Sequence, residues 1–199
     1  MPQNQTIKDQ VDKGFRTREL LDDRPKPSDG LLWSNGLELI QVVGGAFTAT
    51  RTAAGNYNAV RTSGGAETHN FVLSLNTLMR RVDVKGVKVT GFVISYNVAT
   101  ANLTSTAFTA QTCTYADRVA ASVATYGGTI SFDANHDTDA ERISATGGNN
   151  PHLCEGTFSA PQYINTDNQW MSVEFRFVQP NTSVLTIFGA GLRIEHDYL

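Results

Sequence analysis

The stretch QWMSVEFRFV, residues 169–178, decides the fold class of this 199-residue chain. Its apolar side chains share one parity and its polar side chains the other, and the apolar set is Met171, Val173, Phe175 and Phe177. Because successive side chains of a β-strand point to opposite faces, this alternation predicts a strand with one face toward a core and one toward solvent. Pro180 and Asn181 follow and predict a turn into a last strand over residues 184–195.

A second long β-rich stretch, residues 87–98, changes parity at Gly91. Val87 and Val89 share one parity, whereas the apolar positions from Phe92 onward share the other. We predict a β-bulge at Gly91, because one extra residue in the strand would bring both apolar sets to the same face.

Strand-like segments separated by Gly, Asn and Pro recur along the rest of the chain. They cover residues 37–43, 47–51, 57–62, 71–75, 103–115, 129–132, 142–145 and 152–159. Residues 117–125 are predicted as a short helix or a loop crossing, and residues 133–141 as an acidic loop. About eight to ten strands with uneven connections and no internal repeat predict an all-β protein, a jelly-roll-like β-sandwich of about eight strands.

The leading residues 1–35 differ in composition from the rest and are predicted to form an extended N-terminal arm before a jelly-roll domain over residues 36–199. They hold 12 of the chain's 35 charged side chains, six of each sign. The segment is either a disordered tail or an arm that orders on a partner, and its apolar residues favour the arm. The residues expected to contact that partner are Ile7, Val11, Phe15, Leu20, Leu21, Leu31, Leu32 and Trp33.

Residues 184–188 of the last strand are apolar on both parities. This pattern predicts either a central strand or a face covered by another subunit. On the second interpretation, Leu185 and Ile187 are candidate interface residues of the domain.

Composition limits the partners and the compartment. The net charge of -3, with 18% charged residues, argues against a nucleic-acid partner. No run reaches the ~18 apolar residues of a membrane-spanning helix, so we expect no membrane partner. The N-terminal residues also lack the apolar segment of a secretory signal.

Residues with catalytic or metal-binding chemistry are few. His136, Asp137, Asp139 and Glu141, with His152 beyond them, are the one mixed cluster of candidate ligands. A calcium or zinc site is conceivable there, but the spacing matches no calcium loop, and we expect a solvated loop without a cofactor. His69, His152 and His196 stand apart in the sequence, and no serine lies in a G-x-S-x-G motif, so no enzyme is expected.

The two cysteines and a few aromatic residues leave alternatives open. Cys113 and Cys154 both fall in predicted strands, where a small buried thiol is the usual role and a disulfide would need adjacent strands. Tyr163, Asn168 and Trp170 are close in sequence, which keeps carbohydrate binding open as a function.

Four blocks of the chain carry a family resemblance. They are KGVKVTGFVISYNVATANLTS at 85–105, YGGTISFDANHDTDAERI at 126–143, PHLCEGTFSAPQYINTDNQWMSVEFRF at 151–177 and TSVLTIFGAGLRIEHDYL at 182–199. From Lys85 to the C-terminus the chain resembles tailed-phage virion proteins of jelly-roll fold, namely capsid decoration (cement) proteins and related head components. A threonine in the third block, where a further apolar residue is expected, departs from that pattern.

The resemblance implies a structural virion protein that stabilises a phage head by bridging neighbouring major capsid proteins. It implies a homotrimer on the surface of the head, assembled in the host cytoplasm. The alternatives are a carbohydrate- or receptor-binding jelly-roll module of a phage fibre or tail, a jelly-roll subunit of the capsid shell, and a small β-sandwich hydrolase. A charge-neutral arm argues against a shell subunit that binds the genome directly.

Overall fold

A computed structural model describes residues 30–35, 40–43, 48–51, 55–60, 64–74, 86–116, 120–165, 169–181 and 183–195. The strands are β1 Gly30–Asn35, β2 Ile40–Val43, β3 Thr48–Arg51, β4 Tyr57–Val60, β5 Glu67–Ser74, β6 Gly86–Ala99, β7 Ser105–Ala116, β8 Ala120–Thr125, β9 Ile130–Phe132, β10 His152–Asn165, β11 Gln169–Gln179 and β12 Val184–Glu195. Within the described ranges one short helix, α1 Asp139–Arg142, interrupts them. In these ranges there is no helix with the length and apolar character needed to cross a membrane.

The strands form two antiparallel sheets. The first has the order β3-β4-β12-β6-β10-β9, with β1 also paired to β12, and the second has the order β2-β5-β11-β7-β8. The chain changes sheet at nearly every connection from β4 to β12, so that β4-β12-β6-β10 faces β5-β11-β7-β8. This is the strand order of a jelly roll, and the predicted all-β, jelly-roll-like sandwich is confirmed.

The core lies between the two sheets and is rich in aromatic rings. The predicted alternation of β11 is confirmed, because Met171, Val173, Phe175 and Phe177 are all fully buried. Phe92 of β6 crosses the core to Phe175, with ring centroids 5.3 Å apart in an edge-to-face arrangement. Burying each large side chain stabilises the fold by about 1.5–3 kcal/mol, which makes this contact between sheets a main source of stability.

The bulge predicted at Gly91 is confirmed by the strand register. Gly91 pairs with Arg193 while Val89 pairs with Ile194, so Thr90 is the extra residue on β6. A Cβ on Gly91 would lie 2.2 Å from the carbonyl oxygen of Gly156 on β10, and only glycine permits this close approach of the two strands.

β12 occupies a central position in its sheet. It pairs with β6 on one side and with β4 and β1 on the other. Leu185 and Ile187 are fully buried in the core of the chain's own sandwich. The prediction that these two residues contact another subunit was therefore wrong, and their apolar character is explained by the central strand.

The boundary predicted between arm and domain also moves. Residues 30–35 form β1, in which Leu31, Leu32 and Trp33 pair with Arg193, Leu192 and Gly191 respectively. These six residues belong to the sheet, so the segment that precedes the sandwich is residues 1–29. The other predicted arm contacts, Ile7, Val11, Phe15, Leu20 and Leu21, lie outside the described residues.

Three local predictions are corrected. Residues 120–125 form the strand β8 rather than a helix or loop, and β10 continues to residue 165 instead of ending at 159. Residues 142–145 do not form a strand, because Arg142 ends the helix α1 and the chain then turns.

Candidate functional site

The connection between β9 and β10, residues 133–151, packs over one end of the sandwich. Its helix α1 begins with a capping box: the Thr138 hydroxyl accepts a hydrogen bond from the Glu141 amide at 3.3 Å. The Glu141 carboxylate in turn accepts from the Thr138 amide at 3.0 Å. Each side chain thus satisfies a backbone donor that the first helical turn leaves free, which fixes the start of α1.

Polar contacts fasten this connection to the sheets. The buried Tyr96 hydroxyl donates to the Arg142 carbonyl oxygen at 2.6 Å. The Asn150 side-chain amide donates to the Val98 carbonyl oxygen at 2.8 Å and accepts from the Val98 amide at 3.2 Å. Because these hydrogen bonds join residues 133–151 to β6, this segment has a fixed position on the sheet.

Four side chains meet beneath this connection, and we call them the His136 cluster: Asp133, His136, His152 and Cys154. Asp133 and His136 come from the connection itself, whereas His152 and Cys154 share the core-facing side of β10. His136, His152 and Cys154 are buried, with 3%, 1% and 0% of their surface exposed. The potential metal-ligating atoms of Asp133, His136 and Cys154 all lie within 4.8 Å of one another.

Asp133 lies on the solvent side of the cluster. Its carboxylate accepts hydrogen bonds from the backbone amides of Asn135 at 3.0 Å and Glu155 at 2.9 Å. Its two oxygens also lie 2.8 and 3.0 Å from Nδ1 of His136. Partial burial alone would raise the pKa of Asp133, but these hydrogen bonds outweigh it and hold the pKa below its ordinary value. Asp133 is therefore a fixed carboxylate.

His152 lies deeper in the cluster. Its Nε2 lies 2.9 Å from the Ser144 carbonyl oxygen, its Nδ1 lies 3.3 Å from Nε2 of His136, and its ring stacks on Tyr96 with centroids 4.6 Å apart. Burial lowers the pKa of His152 and outweighs the hydrogen bond to Ser144, which favours the charged form. His152 is therefore held in its neutral form.

Cys154 is a buried free thiol. Burial, with the nearby Asp133 carboxylate, raises the pKa of its thiol to about 12. Cys113 lies in β7 of the other sheet, so the two cysteines are not on adjacent strands and the condition set for a disulfide is not met. The expected role of Cys154 as a small buried thiol agrees with this position.

An open cleft of about 380 Å³ lies against the cluster. Asp133 and His136 form its inner wall, and Asn135, Asn149, Leu153 and Glu155 line the rest. Leu153 is 53% exposed. The Asp133 side chain is 26% exposed and meets solvent in this cleft, whereas the His136 side chain behind it is 4% exposed.

For this cluster, the sequence pattern placed His136 among the candidate ligands and His152 beyond them, and neither Asp133 nor Cys154 was considered as a ligand. Of the predicted ligands only His136 belongs to it: Asp137 is exposed, Asp139 accepts from the amide of Thr106 at 3.0 Å, and Glu141 caps α1. The view of His152 as unclustered was wrong. Two short signals point to the site, the D-x-x-H spacing at 133–136 and the H-x-C spacing at 152–154, the second of which places both side chains on one face of a strand.

The opposite end of the sandwich is built differently. Gly30, which opens β1, pairs there with Ile194 near the end of β12. Lys88 and Glu195 form an ion pair at 2.5 Å, and Tyr163 is 63% exposed. Of the other aromatic and amide positions considered for carbohydrate, Trp170 is half-buried and Asn168 lies outside the described residues.

No protein-family model matches the chain, and no curated protein is similar to it. Among solved structures it is similar to a GH26-CBM35 β-(1,4)-mannanase of Podospora anserina, at 12% identity and a TM-score of 0.34 over 86% of this chain and 29% of that one. It is also similar to a carbohydrate-binding module of the β-sandwich superfamily, at 10% identity and a TM-score of 0.35 over 87% of this chain and 60% of that one.

Proposed function

We propose that this protein is a capsid decoration protein, a structural and non-catalytic component that stabilises a phage head by bridging neighbouring major capsid proteins. The jelly-roll fold and the four sequence blocks similar to phage head proteins support this role. On this proposal the protein lies on the outer surface of the head after assembly in the host cytoplasm. It contacts other protein chains and neither nucleic acid nor membrane.

The observation that carries the proposal is the way residues 1–29 join the sandwich. They enter through β1, which is hydrogen-bonded along its length to the central strand β12. A force applied to residues 1–29 therefore acts on the central strand β12 through the six residue pairs of β1 and β12. The segment carries Ile7, Val11 and Phe15 at helical spacing, which suits an apolar groove on a neighbouring shell protein.

We further propose that three copies associate through their sheet edges. Like the other strands that end a sheet among those described, β8 has a neighbour on one side only, and Val123 on it is 65% exposed. An open edge with an exposed apolar side chain favours pairing with another chain. A homotrimer would cover such edges and attach three segments at once, so that the trimer binds more tightly than one segment does.

Binding to shells tests the proposal. Empty shells assembled from the major capsid protein of the same phage are mixed with the full chain and sedimented. We expect saturable binding at a fixed ratio to shell subunits, and a loss of at least about a hundredfold in affinity when residues 1–29 are deleted. Circular dichroism of the deletion variant, which keeps β1, verifies that the sandwich still folds. Absence of binding by the full chain, or equal binding by the folded deletion variant, would contradict the proposal.

One observation favours a second function, a carbohydrate-binding module of a phage fibre or tail. Tyr163 is exposed, and the ammonium group of Lys88 lies 6.0 Å from its ring centroid. An exposed ring beside a polar hydrogen-bond donor is a surface on which a sugar ring can stack. Binding to a glycan array that is lost in Tyr163→Ala, together with no binding to shells, would favour this function over the first.

A further inference from the structure

We propose that Asp133, His136 and Cys154 bind one divalent transition-metal ion, for which Zn²⁺ is the expected ion. The three side chains bring a carboxylate, an imidazole and a thiol together from two parts of the chain. Their ligating atoms lie within 4.8 Å of one another. The inference does not depend on the capsid proposal, since it concerns the opposite end of the sandwich and its test uses no shells.

The hydrogen bonds of His136 and His152 indicate which ring nitrogen faces the Asp133 carboxylate without a proton and could bind a cation. The Ser144 carbonyl oxygen can only accept, so Nε2 of His152 carries the proton and donates to it at 2.9 Å. In a neutral ring, Nδ1 of His152 is then a bare acceptor. Nδ1 of His152 lies 3.3 Å from Nε2 of His136, and the chain of hydrogen bonds continues to His136 when that nitrogen is the donor.

This assignment leaves two acceptors facing each other. With its proton on Nε2, a neutral His136 presents a lone pair on Nδ1 to the Asp133 carboxylate, whose oxygens lie 2.8 and 3.0 Å away. A lone pair and a carboxylate at this distance repel unless a positive charge lies between them. That charge is either a second proton on His136 or a metal ion.

Cys154 favours the metal ion over the proton. A proton shared by Asp133 and His136 needs no thiol, yet the buried thiol of Cys154 completes a set of three ligand atoms. Thiolate and imidazole ligands select zinc and similar ions, whereas calcium and magnesium prefer sites built from oxygen alone. Tetrahedral zinc sites place ligand atoms about 3.5 Å apart, so the Asp133 and His136 atoms need to separate by less than about 1 Å.

The surroundings of the three ligands fit such a site. The backbone amides of Asn135 and Glu155 hold the Asp133 carboxylate, and the chain of His152 and Ser144 orients the His136 ring. Partners of this kind fix ligand orientation in known metal sites. The cleft on the solvent side can supply a water as fourth ligand. On binding, the ion takes the place of the thiol proton and of any proton on Nδ1, and these protons pass to solvent.

Such an ion would connect residues 133–151 to β10. Asp133 and His136 belong to the connection, whereas Cys154 belongs to the strand. Binding therefore stabilises the native state, and the stabilisation grows with the logarithm of the free ion concentration above the dissociation constant, as for any ligand that prefers the folded chain.

Metal binding by the full chain tests the proposal. Bound metal is removed from the protein with a chelator, the protein is titrated with Zn²⁺, and the bound zinc is measured by inductively coupled plasma mass spectrometry. We expect one equivalent to bind and the melting temperature to rise with Zn²⁺ and to fall again with chelator. With Co²⁺ as a probe, we expect the absorption of a cobalt–thiolate bond.

Three variants locate the ion. Cys154→Ser keeps the size of the side chain and removes the thiolate, so the cobalt–thiolate absorption should disappear. His136→Gln keeps a donor toward His152 but removes Nδ1, and should weaken zinc binding at least about tenfold. Asp137→Asn changes an exposed carboxylate next to the site and should bind zinc like the parent chain. Melting in chelator verifies that each variant folds.

Two results would overturn the proposal. One is the absence of stoichiometric Zn²⁺ or Co²⁺ binding by the folded parent chain. In that case ¹⁵N chemical shifts showing both nitrogens of His136 protonated would assign the charge to a proton. The other is unchanged binding in both Cys154→Ser and His136→Gln, which would place the ion elsewhere.

Discussion

The two ends of the sandwich differ in how their side chains are buried and hydrogen-bonded. At one end, residues 133–151 are hydrogen-bonded to β6 and enclose the His136 cluster. At the other end, β1 and β12 pair through Gly30 and Ile194, and an exposed ion pair joins Lys88 to Glu195. Val89 and Tyr96 mark these two ends on β6, and with Thr90 bulged out the six regular steps of strand between them span about 20 Å.

On the proposed function, the difference between the ends separates rigidity from attachment. Buried polar groups are costly unless each is hydrogen-bonded, so the end with the cluster tolerates little change. The end with β1 has exposed charges and leads into residues 1–29, so it tolerates more substitution. On the proposed function, the loop end contributes stability and the β1 end makes the partner contacts.

The largest effect is expected midway between the ends, where a change weakens both. Phe175→Ala removes a fully buried ring that contacts Phe92 and Phe108. We expect a loss of about 3–5 kcal/mol in the free energy of unfolding, measured by urea denaturation. A loss below about 1 kcal/mol would mean that this ring is not in the core.

A smaller loss is expected at the loop end from Asp133→Asn. The variant keeps the shape of the side chain but removes the charge that accepts from two backbone amides and faces His136. Hydrogen bonds to a charged group contribute about 1.5–3 kcal/mol, so we expect a loss of about 2 kcal/mol in unfolding experiments with chelator present. An unchanged midpoint would show that the cluster contributes nothing to stability without metal.

A still smaller loss is expected from Thr138→Ala, which removes the N-cap of α1. Losing such a cap costs about 1 kcal/mol. Hydrogen bonds from the Thr138 amide and hydroxyl lower the pKa of Glu141 below its ordinary 4.5. A lowered folded-state pKa stabilises the fold above pH 4.5, and this contribution is lost as pH falls through the lowered value.

Unfolding measured between pH 7 and pH 3 tests this origin of the cap's contribution. The difference between parent and Thr138→Ala should shrink as the solution becomes acidic, because protonated Glu141 accepts less well from Thr138. A difference that stays constant over this range would mean that the Glu141 carboxylate takes no part in the cap.

The smallest effect is expected at the β1 end from Glu195→Gln, a change of the same kind as Asp133→Asn. Glu195 pairs with Lys88, but both side chains are accessible to solvent, at 44% and 25% exposure. Exposed ion pairs contribute little, so we expect a change under about 0.5 kcal/mol. A loss as large as that of Asp133→Asn would remove the energetic distinction between the two ends.

The fold was predictable wherever one strand has a clear period. The alternation of β11 and the parity change at Gly91 follow from side-chain direction in a strand, and both agree with the structure. The environment of β12 was harder to predict, because a central strand is apolar on both parities and a strand at a subunit interface has the same pattern. β1 was assigned to the arm because its neighbours in sequence are charged, whereas its pairing with β12 depends on residues more than 150 positions away.

The site was less predictable than the fold. The candidate ligands in the sequence were His136 and the acidic residues that follow it, but those acidic side chains point away from the cluster. Asp137 is exposed, Asp139 accepts from Thr106, and Glu141 caps α1. The residues that meet are separated by up to 21 positions, and only the return of the chain from α1 to β10 joins them. The capping box at Thr138 and Glu141 was a readable signal for the helix, which the acidic composition of the segment obscured.

Hydrogen–deuterium exchange on the full chain, free and bound to shells, tests the separation of roles most directly. The account predicts that binding slows exchange in residues 1–35 and leaves residues 133–151 unchanged. Slower exchange confined to residues 133–151, with residues 1–35 unaffected, would contradict it and place the contact surface at the loop end.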